Sequence, residues 1–364
     1  MLYIYFQPTI LTSQYLKELQ KAREELDPYA RLPQEYTVQL RRHALAQAVH
    51  YSTRIEGNTL TLAQVRSLLA GEKVGAPVDQ IQEVRNYAEA LSYIQTFSQD
   101  KTARISEDTI RQLHFLITKS LPGGYAPGQH RTEQNYVIDS RSDRRVFIPP
   151  ASENVPVLMR EFVDWLNSDY QPSPVLKAAL AHLNVVAIHP FLDGNGRTAR
   201  VLESLLLYKE GVRSQYLVSL EAYFGRDSQA YYHALAAALG PYYSPPKDVS
   251  LWVEYSLQAH VVEAHAALQY QQEVTVELDG LKEVFQTEGL SPAQTMMLLM
   301  ACRTERVTNR EYRQITGRSH QSAVADFTKL IEKGLLARSG KGRATAYVPS
   351  QRTKEVFESI RRSP

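Results

Sequence analysis

The residues that could do chemistry in this chain are concentrated in one stretch of twelve, residues 189–200. An imidazole stands at His189, a carboxylate at Asp193, and guanidinium groups at Arg197 and Arg200. Because histidine titrates near neutral pH, His189 could take a proton from a hydroxyl group. Asp193 is a suitable ligand for magnesium, which binds through one or two carboxylates plus phosphate oxygens. The two arginines, three positions apart, would share one face of a helical turn and could bind a chain of phosphates.

Two helices must position this stretch. Apolar residues recur at helical spacing on both sides of it, within residues 175–187 and 199–208. The stretch is therefore predicted to be a loop between two buried helices that ends at a helix N-terminus. Gly194, Asn195 and Gly196 would leave amide N–H groups pointing at one spot at the positive end of that helix, which is an anion site. The alternative is a helix-capping loop with an incidental histidine and surface arginines.

The stretch resembles the signature of the Fic family, His-Pro-Phe-x-x-Gly-Asn-Gly-Arg-x-x-Arg, and matches it at every specified position. The resemblance implies a protein adenylyltransferase, which transfers AMP from ATP to a serine, threonine or tyrosine hydroxyl of a target protein. It further implies that His189 is the base and that Mg²⁺ held by Asp193 bridges the α- and β-phosphates. The nucleotide ligands implied are Gly194, Asn195, Gly196, Arg197 and Arg200.

A second motif lies near the end of a helix predicted over residues 36–57. Glu56 places a carboxylate at the negative end of this helix, where the helix dipole disfavours it, and Ser52 lies on the same face. Taken alone, Glu56 is most simply a solvated surface acid. Beside the signature, however, residues 52–57 resemble the inhibitory motif of the Fic family, [Ser/Thr]-x-x-x-Glu-[Gly/Asn], with Gly57 last. The resemblance implies that Glu56 pairs with Arg200 and occupies the place of the ATP γ-phosphate.

A β-hairpin is predicted over residues 131–150, in an otherwise helical part of the chain. A lone hairpin is marginally stable unless it packs on something. It therefore either has no binding role or presents a strand edge that can pair with another chain. Its place before the signature resembles that of the Fic flap, which pairs with an extended segment of the target.

The predicted fold is mainly α: a Fic-type helical core with the hairpin as its flap, plus a small α/β winged helix domain. Three domains are predicted. Residues 1–110 form an amino-terminal helical region that includes the inhibitory helix, residues 111–285 form the catalytic core, and residues 286–364 form the winged helix domain.

Charge is unevenly distributed along the chain. Residues 291–364 carry 14 basic against 6 acidic side chains, whereas the first 290 residues have a net charge of −6. A basic tail indicates a partner different from that of the acidic body. A nucleic acid could contact the third predicted helix and the wing of this domain. The alternative is a winged helix used for packing or dimerisation. The basic and polar residues concerned are Arg318, His320, Gln321, Lys329, Lys341 and Arg343.

Composition sets broader limits on the protein. With 364 residues, 43% of them hydrophobic, and a single cysteine, Cys302, the chain resembles a globular protein without disulfides. No signal peptide and no apolar run of membrane-spanning length is visible, so we expect a cytoplasmic protein without membrane contact.

Several questions about function stay open at this level. De-AMPylation, or transfer of another phosphate-containing group, could occur at the same site. A DNA-binding regulator that uses the winged helix domain is a further alternative. Self-modification and homodimer formation are also left open.

Overall fold

The computed structural model describes residues 1–30, 34–123, 126–139, 144–168, 173–210, 218–340, 342 and 345–362. Over these residues the chain is mostly helical, which confirms the predicted fold class. The described helices are α1 (Ile10–Ala30), α2 (Gln34–Ile55), α3 (Leu62–Leu69), α4 (Val78–Phe97), α5 (Glu107–Thr118), α6 (Val155–Leu166), α7 (Pro174–Ile188), α8 (Asn195–Lys209), α9 (Leu220–Arg226), α10 (Ser228–Leu239), α11 (Ser250–Val284), α12 (Pro292–Thr304), α13 (Asn309–Thr316), α14 (His320–Glu332) and α15 (Gln351–Arg362). The strands are β1 (Val137–Asp139), β2 (Arg144–Phe147), β3 (Leu336–Ser339) and β4 (Ala346–Pro349).

The chain divides into two compact units. The first unit comprises Met1–Glu24 and Ala44–His265, and the second comprises Glu25–His43 and Ala266–Pro364. The division into three domains made from the sequence stays a prediction. Among the described residues, no helix is both long and apolar enough to cross a membrane.

Helix α7 forms the centre of the first unit. All but two of its residues are buried, and it packs along α8. A helix that is apolar on every side belongs inside a protein rather than on its surface. Its few polar side chains have partners: Asn184 exchanges hydrogen bonds of 2.9 Å with the backbone N–H and C=O of Tyr3. Trp252 of α11 donates from Nε1 to the Ala179 carbonyl at 2.8 Å. The two ends of the site stretch are therefore attached to a rigid core.

The predicted hairpin is present in the first unit. β1 pairs antiparallel with β2, and a register irregularity lies between Val137 and Ile138. Its turn, residues 140–143, lies outside the described residues. Beyond β2, Ile148 bonds the chain near α10: its N–H donates to Pro241 O at 2.9 Å, and its carbonyl accepts from Tyr243 N at 3.0 Å. The hairpin is thus anchored at its base.

The second unit contains three helices, α12 to α14, followed by the β3–β4 hairpin and α15. β3 pairs antiparallel with β4, and Val307 forms an additional antiparallel bridge to Tyr347. The helices and hairpin share a buried cluster with the C-terminal part of α11, to which Leu278, Leu281 and Phe285 contribute. A winged helix assignment for this unit stays a prediction, although the order of its elements agrees with it.

Two of the residues predicted to contact nucleic acid already have polar partners within the second unit. Arg318 Nε lies 3.1 Å from Oδ2 of the buried Asp326, and Lys329 donates to Gly289 O at 2.9 Å. His320 and Gln321 are exposed at the start of α14. The predicted wing residues Lys341 and Arg343 lie outside the described residues.

Candidate functional site

His189 ends α7 in a left-handed backbone conformation, with φ 51° and ψ 57°. Such a conformation is costly for a residue other than glycine and turns the chain sharply. His189 Nδ1 lies 3.2 Å from the Val186 carbonyl. Since a carbonyl can only accept, the proton is on Nδ1, and Nε2 keeps the lone pair. Burial, reinforced by the positive charge of Arg131, lowers the pKa of His189 to about 4, so the ring is neutral at pH 7.

Arg131 holds the backbone around His189, and the sequence interpretation missed it. Its side chain is buried, and Nε donates to the His189 carbonyl at 2.9 Å. Its own N–H donates to Pro190 O at 2.9 Å. The other guanidinium nitrogens donate to Glu133 O, at 3.1 Å, and to Pro150 O. One arginine therefore connects both ends of the hairpin segment to the turn that carries the histidine.

The loop after His189 is braced by its own side chains. The buried Asn195 accepts from Phe191 N at 3.0 Å through Oδ1 and donates to Phe191 O at 2.9 Å through Nδ2. Phe191 stacks on His114 of α5, with 3.8 Å between ring centroids. The Asn195 side chain thus supports the loop, and only its main-chain N–H is placed to meet an anion.

His114 connects two loops and was also missed. Burial lowers its pKa to about 4, so the ring is neutral. Nε2 lies 2.9 Å from the Asp193 carbonyl, and Nδ1 accepts from Gly128 N at 2.9 Å. The tautomer is therefore fixed with the proton on Nε2. This ring joins the loop of the signature to the segment that precedes the hairpin.

Gly194, at φ 75°, directly precedes the first residue of α8, and no side chain of the described residues caps the helix. A Cβ at Gly194 would lie 2.8 Å from Cγ2 of Thr118, so both the conformation and the space require glycine. The N–H groups at the start of a helix lack intrahelical partners and carry partial positive charge. The start of α8 is therefore able to bind an anion.

Asp193 stands beside this helix start with a half-exposed side chain. Its Oδ1 accepts from Gly194 N at 2.5 Å and lies 3.8 Å from Arg197 Nη2. The described residues contain no group of three or more His, Cys, Asp or Glu that could hold a metal alone. A single accessible carboxylate next to an anion site nevertheless fits Mg²⁺, because that ion takes its remaining ligands from phosphates and water.

Arg200 is the most enclosed charge of the site. Its side chain is 1% exposed, and Nη2 donates to Glu56 Oε1 at 2.7 Å. Nε donates to Ser52 Oγ at 2.8 Å, and Nη2 also reaches the Ser52 carbonyl at 3.1 Å. The guanidinium makes one hydrogen bond to Glu56, while Ser52 occupies Nε and shares Nη2. Arg200 is thus bound both by Ser52, near the end of α2, and by Glu56, in the turn that follows the helix.

Glu56 lies directly against the start of α8. A Cβ at Gly196 would be 2.9 Å from Glu56 Oε1, so glycine is required there for the carboxylate to approach. Burial acts to raise the pKa of Glu56, but the charges of Arg200 and Arg197 outweigh it and lower that pKa. Glu56 is therefore ionised at pH 7. Gly57 follows at φ 102°, which allows the chain to turn away from the site.

Arg197 has a carboxylate partner that the sequence did not reveal. Its Nη1 contacts Oε1 of Glu83 on α4, and both side chains are largely buried. Burial alone would lower the pKa of Arg197, but the negative charges of Glu56, Glu83 and Asp193 together raise it. Its Nε is buried and has no hydrogen-bond partner among the described residues. Both arginines of the signature are thus neutralised by carboxylates from elsewhere in the chain.

A buried network of polar side chains contacts Arg200 at Nη1. The Tyr231 hydroxyl lies 3.4 Å from Arg200 Nη1 and 2.9 Å from His182 Nε2. His182 Nδ1 lies 2.7 Å from Glu203 Oε2. These side chains come from α7, α8 and α10, and each residue alone looks like ordinary core in the sequence. Their hydrogen bonds help to orient the guanidinium at Nη1, whereas Glu56 binds Nη2.

Comparison with known proteins agrees with this geometry. A sequence model of the Fic/DOC family matches residues 104–207. Over 178 residues the chain is 39% identical to a protein adenylyltransferase Fic of Drosophila willistoni, which covers 47% of this chain and 33% of that protein. For the protein of the same name in Drosophila virilis the identity is 37%, over 47% of this chain and 34% of that one. The chain therefore spans about a third of the length of these curated relatives.

Solved structures show the same fold. A Fic family protein from Desulfovibrio desulfuricans matches with a TM-score of 0.64 at 22% identity, over 96% of this chain and 99% of that one. Fic-1 from C. elegans matches with a TM-score of 0.57 at 26% identity, over 72% of this chain and 74% of that one. Residues 104–207 therefore match the Fic/DOC family, and the chain has the fold of Fic proteins.

Proposed function

We propose that this chain is a protein adenylyltransferase that transfers AMP from ATP to a hydroxyl group of a target protein and is held inactive by Glu56. The observation that carries the proposal is that a carboxylate, Glu56, already lies between the start of α8 and Arg200. A site that binds a carboxylate so closely is an anion site, and it lies beside a neutral histidine. The curated relatives named protein adenylyltransferase support the same activity.

In the proposed reaction, His189 removes the proton of the target hydroxyl through Nε2 as the oxygen attacks the α-phosphorus. The hydrogen bond from Nδ1 to Val186 keeps the ring in the tautomer that can accept. The oxygen–phosphorus bond forms as the bond to the β-phosphate oxygen breaks, and pyrophosphate leaves. Catalysis is then largely positioning and charge neutralisation by groups that are already in place.

The phosphates are assigned to the start of α8 and to the two arginines. Main-chain N–H groups of Asn195 and Gly196 would hold the α-phosphate, with Gly194 providing the turn. Arg197 and Arg200 would hold the outer phosphates as planar guanidinium groups suited to phosphate oxygens. Asp193 is the residue that would hold Mg²⁺, which neutralises charge on the leaving pyrophosphate when it is bound.

The flap has an exposed apolar surface that suits a target segment. Ile138 and Val146 are 52% and 40% exposed, and Leu192 of the signature loop is 43% exposed. An extended segment paired with the hairpin would bring a hydroxyl toward the loop that holds His189. We assign the target segment to this edge of the hairpin.

Two alternatives use the same site: removal of AMP from a modified protein, and transfer of a different phosphate-containing group. Intact mass of target proteins after incubation with ATP separates them from the proposal, because AMP transfer adds the mass of one AMP. The decisive experiment is incubation of the Glu56→Gly variant with α-labelled ATP and a cell lysate, with His189→Ala as the control. Label on protein that requires His189 supports the proposal, and absence of label in both contradicts it.

For the second unit we propose a winged helix fold, as the order of its elements suggests. Because Arg318 and Lys329 have partners within the unit, DNA contact would fall to the exposed start of α14 and to the wing. Binding of duplex DNA by the full chain at increasing salt tests this role, since phosphate contacts weaken steeply with salt. A unit that binds no DNA at low salt serves packing or dimerisation instead.

A further inference from the structure

Glu83 is a carboxylate in the site to which the proposed function gives no role. It lies on α4, and its side chain is only 13% exposed. Oε1 contacts Arg197 Nη1, and Oε2 accepts a hydrogen bond of 2.8 Å from Asn58 Nδ2. Each carboxylate oxygen therefore has a different partner. One partner belongs to the signature and the other follows the inhibitory motif.

Asn58 belongs to the turn that ends the inhibitory segment. Its N–H donates to Thr53 O at 3.1 Å, and its Nδ2 also donates to Gln80 O at 3.0 Å. The next residue, Thr59, donates to Gln80 Oε1 from both its N–H and its hydroxyl. The turn that carries Glu56 is thus fixed to α4. Glu83 connects this turn to Arg197 by a route that does not pass through Glu56.

The guanidinium nitrogens of Arg197 differ in their contacts in the resting site, that is, with Glu56 and Glu83 in place and no nucleotide bound. Nη1 contacts Glu83, and Nη2 lies 3.8 Å from Asp193 Oδ1. Nε is buried and meets no partner in the part of the chain that the structure describes, although the guanidinium is almost fully enclosed. A buried, unpaired donor is costly, and it would gain a partner if an anion entered. Glu83 meanwhile occupies a donor that a phosphate oxygen would need.

We propose that Glu83 is a second inhibitory carboxylate, so that an entering nucleotide must displace Glu83 from Arg197 as well as Glu56 from Arg200. This inference rests on the proposed function only in placing phosphates at the two arginines. Two guanidinium groups are matched by two carboxylates in the resting site, and both carboxylates are connected to the turn at the end of α2. Releasing Glu56 alone therefore leaves half of the anion site occupied.

The opposite role for Glu83 makes the opposite prediction. If Glu83 only orients Arg197 toward the phosphates, its removal would weaken nucleotide binding. If Glu83 competes with phosphate, its removal leaves Arg197 short of negative charge in the resting state, and nucleotide binds more tightly. The sign of the change in affinity thus decides between a positioning residue and an inhibitory one.

The test is calorimetric binding of α,β-methylene ATP with Mg²⁺, which requires no transfer step. The proteins compared are wild type, Glu83→Gln, Glu56→Gly and the double variant. Glu83→Gln keeps the shape of the side chain and an oxygen for Asn58 while removing the charge. We expect it to bind roughly ten- to a hundredfold more tightly than wild type, the range for a hydrogen bond to a charged group. We also expect the double variant to bind more tightly than Glu56→Gly alone. Unchanged or weaker binding by Glu83→Gln overturns the inference.

Controls come from the same helix. Glu89→Gln removes another carboxylate of α4, whose partner is Lys119 away from the signature, and it should bind as wild type does. If Glu83→Gln does not fold, Glu83→Asp answers the question, because it keeps the charge but withdraws it by one methylene and should bind more tightly than wild type. Transfer assays on the same proteins separate the two claims. Tighter binding without any transfer leaves the inference standing and removes the proposed activity.

Discussion

The carboxylate of Glu56 lies 2.7 Å from the guanidinium of Arg200, across 144 residues of chain. The two groups meet at the start of α8, where Gly196 leaves the space that the carboxylate occupies. Ser52 holds the same guanidinium through both its hydroxyl and its carbonyl. The proposed autoinhibition is therefore a competition for one arginine, and it can be tested by changing either partner.

Glu56→Gly should raise AMP transfer, because the variant removes the competitor and leaves Arg200 in place. One contact to a charged group is worth about 1.5–3 kcal/mol, or roughly ten- to a hundredfold in the population of the competent state. Arg200→Ala should free the inhibitory turn without activating, since the nucleotide needs the same guanidinium. The double variant should resemble Arg200→Ala alone. Self-labelling with α-labelled ATP is measured for wild type and the three variants. A Glu56→Gly variant no more active than wild type, with His189 shown to be essential, would contradict autoinhibition.

His189→Ala should abolish transfer while sparing nucleotide affinity. The variant removes the proton acceptor but touches neither the start of α8 nor the two arginines. A general base is typically worth ~10²–10⁴-fold in rate. Transfer and nucleotide binding are best measured in the Glu56→Gly background, where the site is open. Near-normal turnover by the double variant would mean that His189 only shapes the turn.

The pKa of His189 should be found near 4 rather than at its ordinary value of 6.5. Burial disfavours the charged ring, and Arg131 adds a positive charge nearby. Because the pKa is lower in the folded protein, the unfolded chain takes up the proton first as pH falls. The contribution to stability is thus complete above about pH 6.5 and is lost progressively toward pH 4. An NMR titration of the histidine ring signals, assigned with His189→Ala, checks this; a midpoint near 6.5 would contradict it.

The local part of the site could be predicted from the sequence, whereas its supporting residues could not. The signature lies within twelve residues, and the inhibitory motif within six, so their patterns are visible without a fold. Glu83 is 114 residues from Arg197, and Arg131 is 58 residues from His189. No local spacing marks such residues. A carboxylate on an amphipathic helix and an arginine before a hairpin both look like surface residues until the fold buries them.

The same reason applies to the boundary predicted between the catalytic core, residues 111–285, and the winged helix domain. Helix α11 extends to Val284, next to that predicted boundary. The structure places Leu278, Leu281 and Phe285 in a buried cluster with residues of α12 to α15, and the division into domains stays a prediction. Apolar spacing shows which face of a helix is buried, but it does not show which partner buries it.

Gly194→Ala should disrupt the site by both conformation and space. At φ 75° an alanine is strained, and its Cβ would lie 2.8 Å from Thr118 Cγ2. Thr118 has little freedom to move, because it is buried and donates to the His114 carbonyl at 2.8 Å. His114 in turn holds Asp193, so a shift of Thr118 would disturb the signature loop.

Gly317→Ala provides the matched control for this variant. Gly317 has a similar left-handed backbone, φ 67°, but open space where the Cβ would stand. The free energy of unfolding of the control should therefore fall by about 1–2 kcal/mol, which is the cost of the backbone conformation alone. In Gly194→Ala the overlap of the new Cβ with Thr118 should lower the free energy of unfolding by about 1–3 kcal/mol more. Thermal unfolding and transfer in the Glu56→Gly background measure both effects. Equal losses of stability, together with full transfer by Gly194→Ala, would show that the start of α8 tolerates a side chain and that the phosphates do not approach it as closely as proposed.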